Sequence, residues 1–140
     1  MVCSNRNKKI NRPEEVVRQK ALSFLINSLQ FPKDLIIVER MLSDLNTSGL
    51  SCPLKRRIDI LCYANTKYGI KPLLLIECKV SKINQANKEQ VEGYNLWVRA
   101  PYVALISQKD AWLGKYDKIT QSYVYREGLP TFPDLLVSYE

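Results

Sequence analysis

Apolar positions recur along the chain with two different spacings, and these spacings predict where helices and strands lie. Near the start, the spacing fits one face of a helix and is carried by Val17, Ala21, Phe24, Leu25 and Leu29. Pro13 is tolerated in a first helical turn, and Glu14 and Glu15 suit the positive end of a helix dipole. The sequence therefore predicts a first helix that begins at Pro13 and ends at Phe31-Pro32.

Runs rich in Ile, Leu and Val further along the chain predict four strands. These runs are 35–42, 56–64, 71–80 and 102–107. The Asp, Asn, Ser, Gly and Pro residues of 43–55 predict a loop, and 65–69 predicts a turn. A second helix is expected at 84–99 because its apolar positions return to helical spacing before Pro101. Short strands are possible at 122–126 and 135–139.

The predicted order α-β-β-β-α-β is typical of an α/β domain in which helices flank a mixed sheet. With 140 residues the chain is long enough for one domain with a substantial core and too short for two. Residues 1–11 are polar and basic without periodicity, so they are expected to form a flexible arm. Residues 12–140 are expected to form the single domain.

The chain contains no histidine, and this absence changes the range of possible chemistry most. It excludes Ser-His-Asp and Cys-His catalysis, histidine-ligated zinc and a histidine general base. Catalysis would have to use carboxylates, lysines, tyrosines, thiols or a metal held by oxygen atoms.

Charge and cysteine content indicate the expected partner and compartment. Lys and Arg total 21 against 14 Asp and Glu, and the resulting charge of +7 favours a polyanion such as nucleic acid. The four cysteines form no C-x-x-C pair, and no apolar run is long enough to cross a bilayer or form a signal peptide. The sequence therefore predicts a cytoplasmic protein with no membrane association.

Charged side chains at the ends of two predicted strands suggest a metal site. Asp59 lies on the second strand, and Glu77 and Lys79 lie on the third, where residues two apart project from the same face. Mg²⁺ prefers hard oxygen ligands, so Asp59 and Glu77 could bind it, with the backbone carbonyl of Cys78 as a third oxygen. Lys79 could orient a water, help lower its pKa or stabilise charge on a phosphate. The alternative is a pair of charges on a solvated strand face.

Two helices supply further candidates. Gln90 and Tyr94 are four residues apart and share a helix face that is expected to point inward, towards a phosphate or the metal. Glu14 and Arg18 have the same spacing on the first helix, so Arg18 could hold a carboxylate that reaches the metal. Glu15 is the rival to Glu14, and an ordinary ion pair or a core tyrosine is the alternative in each case.

Together these residues resemble the signature of the PD-(D/E)XK nuclease superfamily, with Ile58 in place of the usual proline. More narrowly, the chain is similar to the N-terminal domain of type I restriction enzyme R subunits over about residues 12–107. That similarity is carried by residues 12–19 (RPEEVVRQ), 57–60 (RIDI), 74–79 (LLIECK), 90–95 (QVEGYN) and 100–102 (APY).

The resemblance implies a restriction-endonuclease-like core and Mg²⁺-dependent cleavage of DNA, with Mn²⁺ as a substitute. By position, Asp59 and Glu77 would hold the metal and Lys79 would assist the water. Gln90 and Tyr94 would support the phosphate or the metal shell. R subunits couple their nuclease to an ATP-driven translocase, whereas this sequence has no G-x-x-x-x-G-K-[ST] loop. A standalone nuclease domain is therefore expected.

Two other functions remain open at this stage. The chain could be a catalytically silent module that binds nucleic acid, in which case its affinity would fall steeply with salt. It could also be an interaction module that forms a homodimer or associates with a separate motor or specificity subunit. Aromatic residues that could form such an interface are Trp97, Trp112, Tyr116, Tyr123 and Tyr125.

Overall fold

The computed structural model describes residues 12–45 and 56–139. The predicted arm at 1–11 and most of the predicted loop at 43–55 lie outside these ranges. Within these two ranges there are three α-helices: α1 (Pro13–Asn27), α2 (Gln85–Val98) and α3 (Phe132–Tyr139). Six strands form the sheet: β1 (Ile36–Val38), β2 (Ile60–Thr66), β3 (Gly69–Cys78), β4 (Tyr102–Ile106), β5 (Ala111–Asp117) and β6 (Ser122–Glu127). None of the helices in the described ranges could span a membrane.

The six strands lie side by side in the order in which they occur along the chain. Neighbouring strands are antiparallel except β3 and β4, which are parallel and are joined by α2. A parallel pair requires a crossover, and the 14-residue helix α2 provides it. This topology brings the start of β2, the end of β3 and the end of β4 together at the same end of the mixed sheet.

Helices cover both faces of the sheet, so the core has two layers. α1 and α3 pack over one face, against buried residues that include Leu25, Ile60, Leu74, Ile76 and Leu135. α2 packs over the other face, against buried residues that include Leu61, Leu75, Val91, Val98 and Val103. The central strands are apolar on both faces because both are covered.

Side-chain hydrogen bonds fix both ends of α2. Asn84 caps the N-terminus by accepting from the backbone N–H of Asn87, whose side chain in turn accepts from the backbone N–H of Asn84. At the other end, the buried Asn95 amide bonds both the N–H and the carbonyl of Ala100, each at 2.8 Å. The position of α2 over the sheet is therefore defined by polar contacts as well as by packing.

Parts of the predicted secondary structure are wrong. The strand expected at 135–139 is part of helix α3, because Phe132, Leu135 and Leu136 have helical spacing and pack on the core together. β5 was not expected, since Gly114, Lys115 and Asp117 give its sequence no continuous apolar run. The first strand is also shorter than predicted, and the described order is α-β-β-β-α-β-β-β-α.

Gly114 on β5 leaves room for an aromatic ring, and its replacement by Ala is expected to destabilise the fold. A Cβ atom there would lie 2.5 Å from Cε2 of Tyr125, whose hydroxyl donates to Glu92 at 2.7 Å. Moving that ring is expected to lower the free energy of unfolding by about 1–3 kcal/mol, measured by urea denaturation.

Gly93→Ala provides the matched control, because nothing lies within 4 Å of a Cβ at this position in α2. Since Ala favours helix over Gly, this variant is expected to be up to about 1 kcal/mol more stable than the wild type. A Gly114→Ala variant as stable as Gly93→Ala would contradict the packing described for Tyr125.

Candidate functional site

Asp59 and Glu77 lie opposite each other where β2 begins and β3 ends. Ile60 pairs with Ile76, so one further step in the same register brings the two acidic residues together. The backbone N–H of Asp59 donates to Glu77 Oε2 at 3.1 Å, and the backbone N–H of Cys78 donates to Asp59 Oδ2 at 2.7 Å. The two strands therefore hold the two carboxylates through reciprocal backbone hydrogen bonds.

The charged form of both carboxyl groups is costly in the folded protein. Glu77 is 5% exposed, and burial together with the charge of Asp59 raises its pKa to about 8. The pKa of Asp59 is also raised, mainly by burial and then by the charge of Glu14, which outweigh the bond from Cys78. In the described ranges, no Lys or Arg nitrogen forms an ion pair with either carboxylate. A bound cation would compensate this charge.

Lys79 follows β3 directly and connects the end of the sheet to α2. Its backbone N–H donates to the carbonyl of Ile106 on β4 at 2.8 Å, and its Nζ donates to Gln90 Oε1 at 2.6 Å. The inward orientation predicted for Gln90 is wrong, because the residue is exposed at the rim. Its side-chain oxygen nevertheless contacts the ammonium group of Lys79, two residues beyond Glu77.

Tyr94 lies one turn further along α2 and is buried as predicted. Burial and the negative charge of Glu77 raise the pKa of its hydroxyl, so the group remains a proton donor at neutral pH. α2 therefore carries both the hydroxyl of the buried Tyr94 and the amide of the exposed Gln90, which contacts Lys79.

The structure distinguishes between the two glutamates of α1. Glu15 forms an ion pair with the buried Arg18 and accepts from Gln19 at 3.0 Å. The expected ion pair between Glu14 and Arg18 is therefore wrong, and Arg18 pairs instead with Glu15, three residues before it. Glu14 remains exposed, and its charge raises the pKa of Asp59. Of the two, Glu14 lies towards the carboxylate pair.

The chemistry of the donors fits a hard divalent cation. Asp59 and Glu77 supply two carboxylates, and Mg²⁺ commonly takes one or two of these together with water and phosphate oxygens. Burial and nearby negative charge raise the pKa of the Cys78 thiol, so only the carbonyl of this residue is a suitable ligand. Across residues 12–45 and 56–139, no group of three or more Asp, Glu, His or Cys side chains is arranged to bind a metal. Solvent or substrate would have to complete the coordination.

One acidic residue near Asp59 was missed in the sequence. Glu39 follows β1, its backbone N–H donates to the carbonyl of Asp59 at 3.0 Å, and its carboxylate lies 3.4 Å from Arg18. The signal was available, since Glu39 and Glu77 each follow four consecutive aliphatic residues, at 35–38 and 73–76. The same pattern that singled out Glu77 therefore also marks Glu39.

A comparison with protein families matches residues 13–133 to the family described as Type I restriction enzyme R protein N terminus. A comparison with curated proteins gives no match. The family match extends from the first residue of α1 into α3 and includes every candidate residue of the site. The chain belongs to the family of type I restriction enzyme R protein N-terminal domains, and its role is related to that of restriction enzymes.

Proposed function

We propose that this chain is a Mg²⁺-dependent DNA endonuclease built on a PD-(D/E)XK core. The observation that carries the proposal is the pair of opposed carboxylates, Asp59 and Glu77, with Lys79 two residues beyond Glu77 on the same chain segment. Glu77 is buried and Asp59 is half-buried, and neither has an ion-pair partner in the described ranges, so their charged forms are costly unless a cation is bound there. The family membership supports a nuclease-related role for this pair.

Asp59 and Glu77 would hold Mg²⁺, with the carbonyl oxygen of Cys78 as an additional ligand. Mn²⁺ would substitute, because it accepts the same oxygen donors. When bound, the cation would offset charge on the scissile phosphate and favour deprotonation of the attacking water. The reciprocal backbone bonds of Asp59 and Cys78 keep both carboxylates oriented before the substrate arrives.

Lys79 would donate hydrogen bonds to a phosphate oxygen and stabilise the charge that develops there. The amide of Gln90 would position the ammonium group of Lys79. The protonated hydroxyl of Tyr94 would be a second hydrogen-bond donor to the phosphate. Glu14 would be the carboxylate that α1 contributes. These roles need no histidine, in agreement with the composition of the chain.

Duplex DNA is the proposed substrate because the chain carries a charge of +7 and phosphates dominate the affinity of basic proteins for DNA. The proposal includes association of this chain with a separate motor or specificity subunit. Binding of DNA is expected to weaken as salt is raised.

Cleavage of a supercoiled plasmid in Mg²⁺ or Mn²⁺ tests the proposal. The wild type is expected to nick or linearise the plasmid and to be inactive in EDTA. Lys79→Ala is expected to cleave at least about 100-fold more slowly, because it removes a donor to the developing charge. Lys71→Ala is the matched control, since Lys71 lies exposed on β3, close to the end of this strand that is opposite Lys79.

Equal cleavage by the wild type and Lys79→Ala would remove the assigned role of Lys79. Salt-sensitive binding of DNA without cleavage in either metal would instead support a catalytically silent binding module with the same fold.

A further inference from the structure

Glu39 has an unusual backbone conformation next to the carboxylate pair. Its φ of 53° lies in the left-handed region, where a residue with a Cβ atom is disfavoured by about 1–2 kcal/mol. The pairing of β1 with β2 keeps one register on both sides of this residue, since Val38 pairs with Ile60 and Met41 with Arg57. Glu39 therefore lies opposite Asp59.

Three adjacent segments thus place acidic residues in one row across the sheet, in the order Glu39, Asp59, Glu77. Asp59 is held from both sides through its backbone. Its carbonyl accepts from the N–H of Glu39 at 3.0 Å, and its own N–H donates to Glu77 at 3.1 Å. The carbonyl of Glu39 accepts in turn from Arg57 Nη1 at 3.0 Å.

The side chain of Glu39 contacts the guanidinium of Arg18, which would otherwise have only one carboxylate partner among the described residues. Arg18 is 7% exposed and contacts two carboxylates, Glu15 on its own helix and Glu39 at 3.4 Å. The charges of Arg18 and Asp59 also interact, as each affects the pKa of the other. Because Glu39 lies opposite Asp59, we expect that a guanidinium released from Glu39 would have Asp59 as its alternative partner.

We propose that Glu39 is a positioning residue that keeps Arg18 away from Asp59 and so leaves Asp59 free to bind the metal. The inference rests on the proposed function, because it concerns the metal ion that Asp59 and Glu77 would bind. Glycine would adopt the left-handed conformation at lower cost and would keep the backbone bond to Asp59. What glutamate adds at this position is the contact of its carboxylate with Arg18.

Titration of the full chain with Mn²⁺, followed by the electron paramagnetic resonance signal of free Mn²⁺, tests this inference without relying on cleavage. Glu39→Gly is expected to raise the Kd for Mn²⁺ about 10-fold, the lower end of the effect found for residues that orient metal ligands. Adding Arg18→Gln to this variant is expected to restore the Kd to within about threefold of the wild type, because the competing cation is then absent.

Gln121→Gly is the matched control, since Gln121 also has a left-handed backbone, with a φ of 59°, and lies in the turn between β5 and β6. Its Kd is expected to equal that of the wild type. Thermal melts of all four proteins without metal separate an effect on binding from an effect on folding.

Equal Mn²⁺ affinity for the wild type and Glu39→Gly would overturn the inference and leave the proposed function intact. A double variant that binds no better than Glu39→Gly would also overturn it, because the loss would then not involve Arg18. If the wild type and Asp59→Asn bind Mn²⁺ equally, the proposed function fails, and this inference fails with it.

Discussion

Replacing Asp59 by Asn is expected to lower the rate of DNA cleavage by at least about 1000-fold and to raise the melting temperature of the metal-free protein. The amide oxygen of Asn can still accept the bond from Cys78, so the local structure is retained. The negative charge that would bind the cation is lost, and with it the electrostatic stabilisation of the reacting phosphate. Above about pH 8, where Glu77 is ionised, the repulsion between Glu77 and Asp59 is lost as well, and this stabilises the apo protein.

The two effects have opposite signs, and this separates a catalytic role from a structural one. Asp34→Asn is the control, because Asp34 is exposed in the short turn before β1 and is expected to change neither quantity. Cleavage is measured on a plasmid with Mg²⁺, and melting is measured in EDTA above about pH 8, where Glu77 is ionised. A variant Asp59→Asn that is both inactive and less stable than the wild type would indicate that Asp59 maintains the fold.

The metal-free wild type is expected to lose stability relative to Glu77→Gln as pH rises from about 4.5 to about 8. The folded state raises the pKa of Glu77 above its ordinary value of 4.5, so it binds this proton more tightly than the unfolded chain does. The resulting stabilisation is complete below pH 4.5 and is lost as pH rises through about 8. The expected difference between the two proteins is on the order of 2–4 kcal/mol.

Urea denaturation at several pH values in EDTA measures this difference. Glu15 and Asp110, whose pKa values are lowered, change stability in the opposite direction, but they do so in both proteins and cancel. At pH 8, Mg²⁺ at ten times its Kd is expected to return about 1.4 kcal/mol to the wild type and nothing to Glu77→Gln. Glu127→Gln, an exposed strand variant, should follow the wild type. Parallel curves for the wild type and Glu77→Gln would contradict the burial of a charge at this position.

The sequence predicted the part of the fold that contains the site because the signals there are local. The order of elements from α1 to β4 follows from apolar spacing, and the family similarity is confirmed. Glu77 was conspicuous because charge at the end of a buried strand is rarely accidental. Its pairing with Asp59 followed from the strand arrangement, which the register bears out geometrically.

The remaining features depend on contacts between distant segments and could not be read from spacing. Gln90 is exposed although it was expected on the inward face of α2, because the buried face of this helix is centred on Val91, Tyr94 and Val98. Arg18 contacts Glu39 only because α1 lies beside the end of β1. The strand β5 forms because β4 and β6 pair with it, although its own sequence is polar.

The proposed function requires one cation bound between Asp59 and Glu77, and crystals grown or soaked with Mn²⁺ test for it. An anomalous difference peak is expected between the two carboxylates, within about 2.0–2.4 Å of an oxygen from each, as for other hard cations. The peak should be absent from crystals of Asp59→Asn prepared in the same way. Well-ordered Asp59 and Glu77 side chains with no anomalous peak between them at saturating Mn²⁺ would contradict the account.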